Sequence, residues 1–285
     1  MITFFATIVR ILSNSLSNVY QKQLVNNGYN PAYINFVMYA GLTICAIPII
    51  NSINLFEYHC SFWLFAVIGG FLGALGNSYL VKALKNGELS ILGPINAYKS
   101  VVAMFFGILL LKEIPSLYGI VAIVLIIFGS YFLFETQEEG FSLQLIKRQD
   151  IRYRIYALIF TALEAICIKN VINESGIIPS FIAWCFFGMI FTAILSLHKK
   201  HTPKIQNFSS IKKFAYIIIL MGIMQISTNY VFSHMQVSYG LALFQLSTIV
   251  SVILGWKYFD EKHIPKKLFG TAIMILGAAI IILTK

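Results

Sequence analysis

Residues 89–111 read LSILGPINAYKSVVAMFFGILLL. The run is apolar almost throughout. It is also long enough to cross a bilayer, whose hydrocarbon core of about 30 Å takes roughly 20 helical residues. Yet Lys99 stands in its middle. A charge at that depth costs on the order of 3 to more than 10 kcal/mol, so it is expected to face the protein interior and find a partner there. The stretch therefore carries two expectations: a membrane-spanning helix, and a polar site buried at its centre.

The rest of the chain fits the first expectation. Its 285 residues are 58% hydrophobic and 11% charged, with a mean hydropathy of +0.80. A soluble domain carries about 25% charged residues. Ten apolar stretches qualify as spans, near 3–21, 32–50, 62–81, 90–111, 115–134, 154–168, 180–197, 214–232, 239–256 and 266–283. Only the connections near 135–153 and 198–213 exceed a dozen residues, which leaves no room for a soluble domain. The N-terminal stretch lacks a basic leader and a small-residue cleavage site, so it reads as the first span and not as a signal peptide. Cys45, Cys60, Cys167 and Cys185 are scattered and form no CxxC pair, so neither a disulfide framework nor a zinc site is indicated. The net charge of +10 in so apolar a chain points to basic cytoplasmic loops, with no nucleic-acid partner.

One offset recurs along the chain. Lys22 and Lys169 lie 147 apart; Pro31 and Pro179, Asn77 and Gln225, Glu113 and Glu261, and Gly129 and Gly277 each lie 148 apart. A constant offset across five helices is the mark of duplication. Five is odd, so the second copy enters the membrane from the opposite side. The fold expected is an all-α integral membrane protein of ten transmembrane helices, arranged as two inverted five-helix repeats: 1–135, a linker at 136–153, and 154–285. Inverted repeats of this kind give transporters two related halves around a midplane site.

The polar residues within the spans mark that site. Arg10, Asn14, Ser17 and Gln21 are spaced four, three and four, and so share one face of the first helix, bordered by Asn18. Lipid would reject that face, so it looks inward. The repeat carries the stripe across, matching Asn14 to Thr161 and Ser17 to Glu164. Lys99 has Asn96 one turn before it and Pro94 just upstream, where a missing backbone donor would kink the helix. Neutral polar groups cluster in LGNSYLV (Asn77, Ser78, Tyr79), MQISTNYVF (Gln225, Ser227, Thr228, Asn229, Tyr230) and FQLSTIVS (Gln245, Ser247, Thr248, Ser251). The candidate substrate-binding set is Arg10, Asn14, Ser17, Asn77, Tyr79, Asn96, Lys99, Glu164, Gln225, Asn229, Gln245 and Thr248. Tyr79, Tyr98, Tyr230 and Trp184 are candidate aromatic walls.

Two readings of the charges stand side by side. In one, Lys99 and Glu164 form a buried structural pair. In the other, Lys99 and Arg10 hold an anionic group while Glu164 takes a proton or a substrate amine. Glu113 and Glu261 each precede the fifth helix of a half and are expected to cap its positive end. His198 and His201 read as part of a solvated basic loop, and Gly69, Gly70, Gly73 and Gly76 as close-packing positions.

ALKNGELS after the third span, the proline of ILGPI, and the acidic ends LLLKEIP and KYFDEKHIP resemble the drug/metabolite transporter superfamily, in its ten-helix EamA-type branch. The resemblance covers essentially the whole chain. That family usually has glycine before the glutamate, where Lys112 and Asp260 stand here, and the second half has no proline matching Pro94. The resemblance implies helices 1–4 and 6–9 around a cavity, helices 5 and 10 at the periphery, and alternating-access movement of small metabolites. It implies no enzymatic activity and no cofactor.

The expected function is movement of small polar metabolites, anionic or zwitterionic and amino-acid-like. Alternatives are a flippase for a lipid-linked phosphate or sugar, and a non-transporting scaffold. Expected partners are the solute, the lipid bilayer and a coupling proton, for a chain acting as monomer or homodimer in the cell inner (cytoplasmic) membrane. Sixteen lysines and arginines fall in the loops on one side of the membrane and three on the other. Positive residues mark the cytoplasm, which places both termini outside; the family resemblance more often places them inside.

Overall fold

The computed structural model describes residues 1–50, 57–87, 89, 92, 95–134, 147–197, 208–260 and 264–283. The described residues form ten helices and no strand. In chain order they are α1 (Ile2–Asn26), α2 (Pro31–Ile50), α3 (Cys60–Asn86), α4 (Asn96–Leu111), α5 (Leu117–Phe134), α6 (Gln149–Ser175), α7 (Ile177–Leu197), α8 (Phe208–His234), α9 (Val237–Phe259) and α10 (Ile264–Leu283). Seven of them, α1–α3 and α6–α9, are long and apolar enough to cross a membrane. All ten coincide with the expected spans. The sixth is longer than its apolar stretch, because Arg154 and Lys169 near its two ends lower the local hydropathy while lying inside the helix. The Pro94 kink falls outside the described residues, as do Glu261, His198 and His201.

The duplication is written into the backbone. Among the described residues, the non-glycine residues with positive φ are Lys112 (56°) and Asp260 (53°), and the glycines with positive φ are Gly28 (89°) and Gly176 (84°). Each pair is 148 apart. Gly28 follows α1, where the Tyr29 N–H reaches the Leu24 carbonyl at 3.1 Å. Gly176 follows α6, its own N–H donating to the Ile172 carbonyl at 2.8 Å. Glycine suits both sites, since the left-handed conformation costs it little. Lys112 and Asp260 close α4 and α9 in the same left-handed conformation.

Packing follows the same symmetry. The main helix pairs are α3 with α6, α1 with α8, α2 with α7 and α5 with α10, each joining one half to the other. Exchanging the halves turns the α3–α6 contact into the α8–α1 contact. At the α5–α10 crossing, a Cβ on Gly129 would meet the Gly270 carbonyl at 2.6 Å, and one on Gly277 would meet the Ala122 carbonyl at 2.7 Å. These contacts are one contact seen twice, because 122 and 270 are also repeat partners. Helices approach closely where small residues let their backbones meet.

The outer surface is apolar, with Leu64, Phe71, Leu109, Val124, Ile194, Ile219 and Leu276 exposed. The interior holds Arg10, Gln21, Asn35, Arg154, Glu164, Gln225, Asn229 and Gln245. This apolar-outside, polar-inside order fits a chain surrounded by lipid. α4 and α9 are both irregular. α4 opens with a tight turn at Asn96–Tyr98 and closes with a wide turn at Gly107–Leu111. α9 is interrupted at Gln245–Leu246, where the Gln245 N–H donates to Ala242 and the Thr248 N–H to Gln245, three residues back.

A lysine in the left-handed region costs about 1 kcal/mol relative to glycine. Lys112→Gly is therefore expected to raise the unfolding free energy in detergent by about 1 kcal/mol, read as a higher unfolding midpoint. Asp260→Gly should gain less, because aspartate tolerates this conformation better.

Candidate functional site

A central cavity lies among α1, α3, α4, α6, α7, α8 and α9 and measures about 790 Å³, its opening included. Among the described residues, α5 and α10 contribute nothing to its lining. Of the candidates, Arg10, Asn14, Asn77, Asn96, Lys99, Glu164 and Gln225 line it.

The α1 stripe lies as its spacing requires. Arg10, Ser17 and Gln21 are buried, and Asn14 and Asn18 face the cavity. The Arg10 guanidinium sits 4.1 Å from the centre of the Phe244 ring, and its buried Nε has no hydrogen-bond partner. Ser17 is covered entirely, its Oγ unbonded. Its repeat partner Glu164 is held open to the cavity by a neighbour without a side chain: a Cβ at Gly73 would lie 2.2 Å from Glu164 Oε1. Gly76 makes the same room for Thr161. The repeat partners of these glycines are Met221 and Met224, which line the cavity from α8.

Glu164 accepts a hydrogen bond from Trp184 Nε1 at 2.7 Å. Tyr39 packs on that indole with ring centres 4.7 Å apart, and its hydroxyl accepts from Asn77 Nδ2 at 2.8 Å. The carboxylate is thus fixed by a chain of side chains from α7, α2 and α3. Lys99 lines the same cavity but lies beyond ion-pair distance of Glu164; the ion pairs among the described residues are Arg148–Asp150 and Lys169–Glu113. The two opposite charges face one space without closing on each other.

The remaining candidates do not line this cavity. Tyr79 is two residues from Asn77, which turns it to the opposite face of α3. It packs on Tyr153, Tyr156 and Phe160, with the Lys82 ammonium 4.4 Å from its ring centre. Asn229 receives a bond from Gln225 at 2.9 Å and donates to the Ile177 carbonyl at 3.2 Å. Thr248 accepts from Gln245 at 2.7 Å, and Gln245 accepts from Asn96 at 3.2 Å. Asn96 and Gln245, 149 apart, are near-equivalents of the two halves that touch across the pseudo-two-fold axis. Trp184 forms part of the cavity wall, while Tyr98 and Tyr230 do not line it.

Arg154 also lines the cavity, although its position next to a basic loop hid it among the loop charges. The signal was present: Arg154, Ala157, Thr161, Glu164 and Ile168 are spaced three, four, three and four, the same face of α6 throughout.

On the side that carries the termini, a polar clasp joins residues of the two halves. Glu113, between α4 and α5, accepts the Val237 N–H at 2.8 Å and lies 3.8 Å from the Lys169 ammonium. Lys169 also donates to the Phe232 and Met235 carbonyls. Gln236 donates to the Ile114 carbonyl at 3.0 Å, and Tyr239 Oη accepts the Ser116 N–H at 2.8 Å. Glu113 thus caps α9 of the other half, not the helix that follows it. Burial pushes its carboxyl above the ordinary carboxylate range, against the pull of the Val237 N–H and Lys169.

A model of the EamA-like transporter family matches residues 1–135 and 152–283. A protein of Streptococcus pyogenes serotype M6 named as a sugar uptake protein is 22% identical over 236 residues, covering 79% of this chain and 80% of that one. A crystal structure superposes with a TM-score of 0.71 at 13% identity, over 98% of this chain and 96% of its own, which bears on the fold alone.

Trp184→Phe removes the indole donor and leaves the Glu164 carboxylate one bond short. It is expected to cost roughly 1–3 kcal/mol in thermal unfolding. Trp184→Phe combined with Glu164→Gln should recover part of that loss, since the neutral amide needs the donor less.

Proposed function

The chain belongs to the EamA-like transporter family, and on that premise we propose that it is a secondary transporter moving a small polar solute by alternating access. One observation carries this reading. Arg10 and Lys99 face a central cavity among seven helices without an ion pair, and the carboxylate they share it with is already engaged by Trp184. Charges at this depth are costly unless water or a solute meets them. The cavity therefore suits a solute bearing a carboxylate or phosphate. An amino-acid-like zwitterion would place its anionic end between Arg10 and Lys99 and its amine toward Glu164, which is equally positioned to exchange a coupling proton.

A free sugar is the second reading. It is favoured by the name of the streptococcal relative and by the amides of Asn14, Asn77, Asn96 and Gln225 on the cavity wall beside Trp184.

The moving parts in this account are the halves 1–135 and 154–285. The Glu113–Lys169 clasp joins them on the side of the termini, and opening that side requires it to part. The excess of basic residues in the loops of the opposite side supports placing those loops in the cytoplasm, and the termini outside, in a multi-pass inner-membrane protein. Each copy of the chain holds a whole cavity, so a monomer or a homodimer would serve equally.

A ligand that binds only the folded state raises its apparent stability. In a thermal-shift screen at two pH values, glutamate, glucose 6-phosphate, inorganic phosphate and glucose are the probes. An anionic or zwitterionic probe is expected to stabilise the wild type, with the shift lost in Lys99→Ala and reduced in Glu164→Gln. Stabilisation by glucose alone, unchanged in Lys99→Ala, would favour the sugar reading. No response to any probe would argue against a solute site at these charges.

A further inference from the structure

A second cavity adjoins the first. It lies among α1, α3, α4, α6 and α9 and measures about 350 Å³, its opening included. Asn14, Asn18, Leu80, Asn96 and Arg154 line both, so the two share a wall. The residues that belong to the second cavity alone include Leu84 near the end of α3, Leu92 just before α4, and Ser251 in the latter half of α9. These helix ends border the basic loops, on the face of the membrane opposite the Glu113 clasp. The second cavity thus lies between the midplane site and the basic side.

Arg154 is the charged group on the shared wall. It stands five residues into α6, about 8 Å from that end at 1.5 Å per residue. Its Nε donates to the Leu92 carbonyl at 2.8 Å, which fixes the plane of the guanidinium. That bond leaves the two terminal nitrogens, and neither is among the sealed, unbonded atoms of the interior. Among the described residues no carboxylate lies within ion-pair distance of them. Asn14, Asn18 and Asn96 share the wall, and Gln245, Ser247 and Ser251 line the second cavity beyond it, so the guanidinium and neutral polar groups face the space alongside four leucines. A guanidinium held this way presents a planar fork suited to carboxylate or phosphate.

The cations also divide between the two cavities. Arg154 lines both, while Lys99 and Arg10 line the central one alone, with Arg10 eight residues from the start of α1 on the side of the termini. We infer that the second cavity is an entry site for the anionic group of the solute, with Arg154 as the residue that holds it before it passes to Lys99 and Arg10. The inference rests on the anionic reading of the midplane site. It adds a specificity-determining residue that acts on entry from the basic side.

A purely structural Arg154 would only tie α6 to α4 through Leu92, and transport kinetics separate the two roles. Uptake of labelled glucose 6-phosphate, glutamate and glucose is measured in proteoliposomes with wild type, Arg154→Gln, Arg154→Lys and Lys99→Ala. Glucose 6-phosphate and glutamate distinguish a phosphate from a carboxylate as the anion. For whichever anion the wild type carries, Arg154→Gln is expected to raise the half-saturating concentration tenfold or more and keep the maximal rate within twofold. Arg154→Lys, which keeps the charge, should stay within about threefold of wild type, and Lys99→Ala should abolish uptake. If Arg154→Gln does not fold, Asn18→Asp supplies the test. It puts a carboxylate on the same wall and should raise the half-saturating concentration for the anion in the same way. An unchanged half-saturating concentration in these variants overturns the entry site and leaves the midplane reading intact, provided Lys99→Ala is inactive. An equal loss of maximal rate in Arg154→Gln and Arg154→Lys likewise overturns it. Wild type that carries neither anion overturns both.

Discussion

A charge inside a membrane has to be wrapped in protein, and Arg10, Lys99, Arg154 and Glu164 place that demand on α1, α4 and α6. No single five-helix half meets it. Glu164 of the second half fits only because Gly73 of the first leaves α3 without a side chain where α6 crosses it, and Gly76 does the same for Thr161. Its hydrogen-bond donor, Trp184, is steadied by Tyr39 of the first half. The polar interior therefore depends on cross-half pairing, and the apolar exterior follows from the same division. Association of helices in lipid gains nothing from hydrophobic burial, so it rests on close packing and on buried polar contacts. The Gly129 and Gly277 contacts supply the first, and the bonds behind the cavity wall supply the second.

The fold was legible in the sequence to a large degree, because bilayer thickness leaves little freedom in helix length and because duplication leaves a fixed offset. The offset read from side-chain identities reappears in backbone conformation at Gly28 and Gly176 and at Lys112 and Asp260. The last pair explains a departure from the family pattern. Glycine is the residue that the left-handed turn before Glu113 accepts at least cost, and here lysine and aspartate adopt it.

The site was legible where a long helical stripe defined a face, as in α1, and less so elsewhere. Tyr79 was grouped with Asn77 by proximity in sequence, although two residues along a helix point to opposite sides. Asn229 and Thr248 are polar because they bond to other polar groups behind the wall, and composition alone does not separate that role from solute contact. Arg154 was masked by the basic residues before it, although its spacing to Glu164 placed it on the cavity face. The destination of Glu113 was out of reach, since its partners Val237 and Lys169 come from the other half and only the folded chain brings them together.

The account makes the central cavity alternately reachable from the two faces of the membrane. Its most direct test is reactivity of single cysteines toward a membrane-impermeant thiol reagent applied to each face, in a chain with the four native cysteines replaced, because Cys45 and Cys60 are exposed. Asn18→Cys reports the basic side of the cavity and Leu241→Cys the side of the termini. The account predicts that a solute that stabilises the protein moves the two reactivities in opposite directions, one rising as the other falls. Reactivities that rise together, or that ignore the solute, would contradict alternating access.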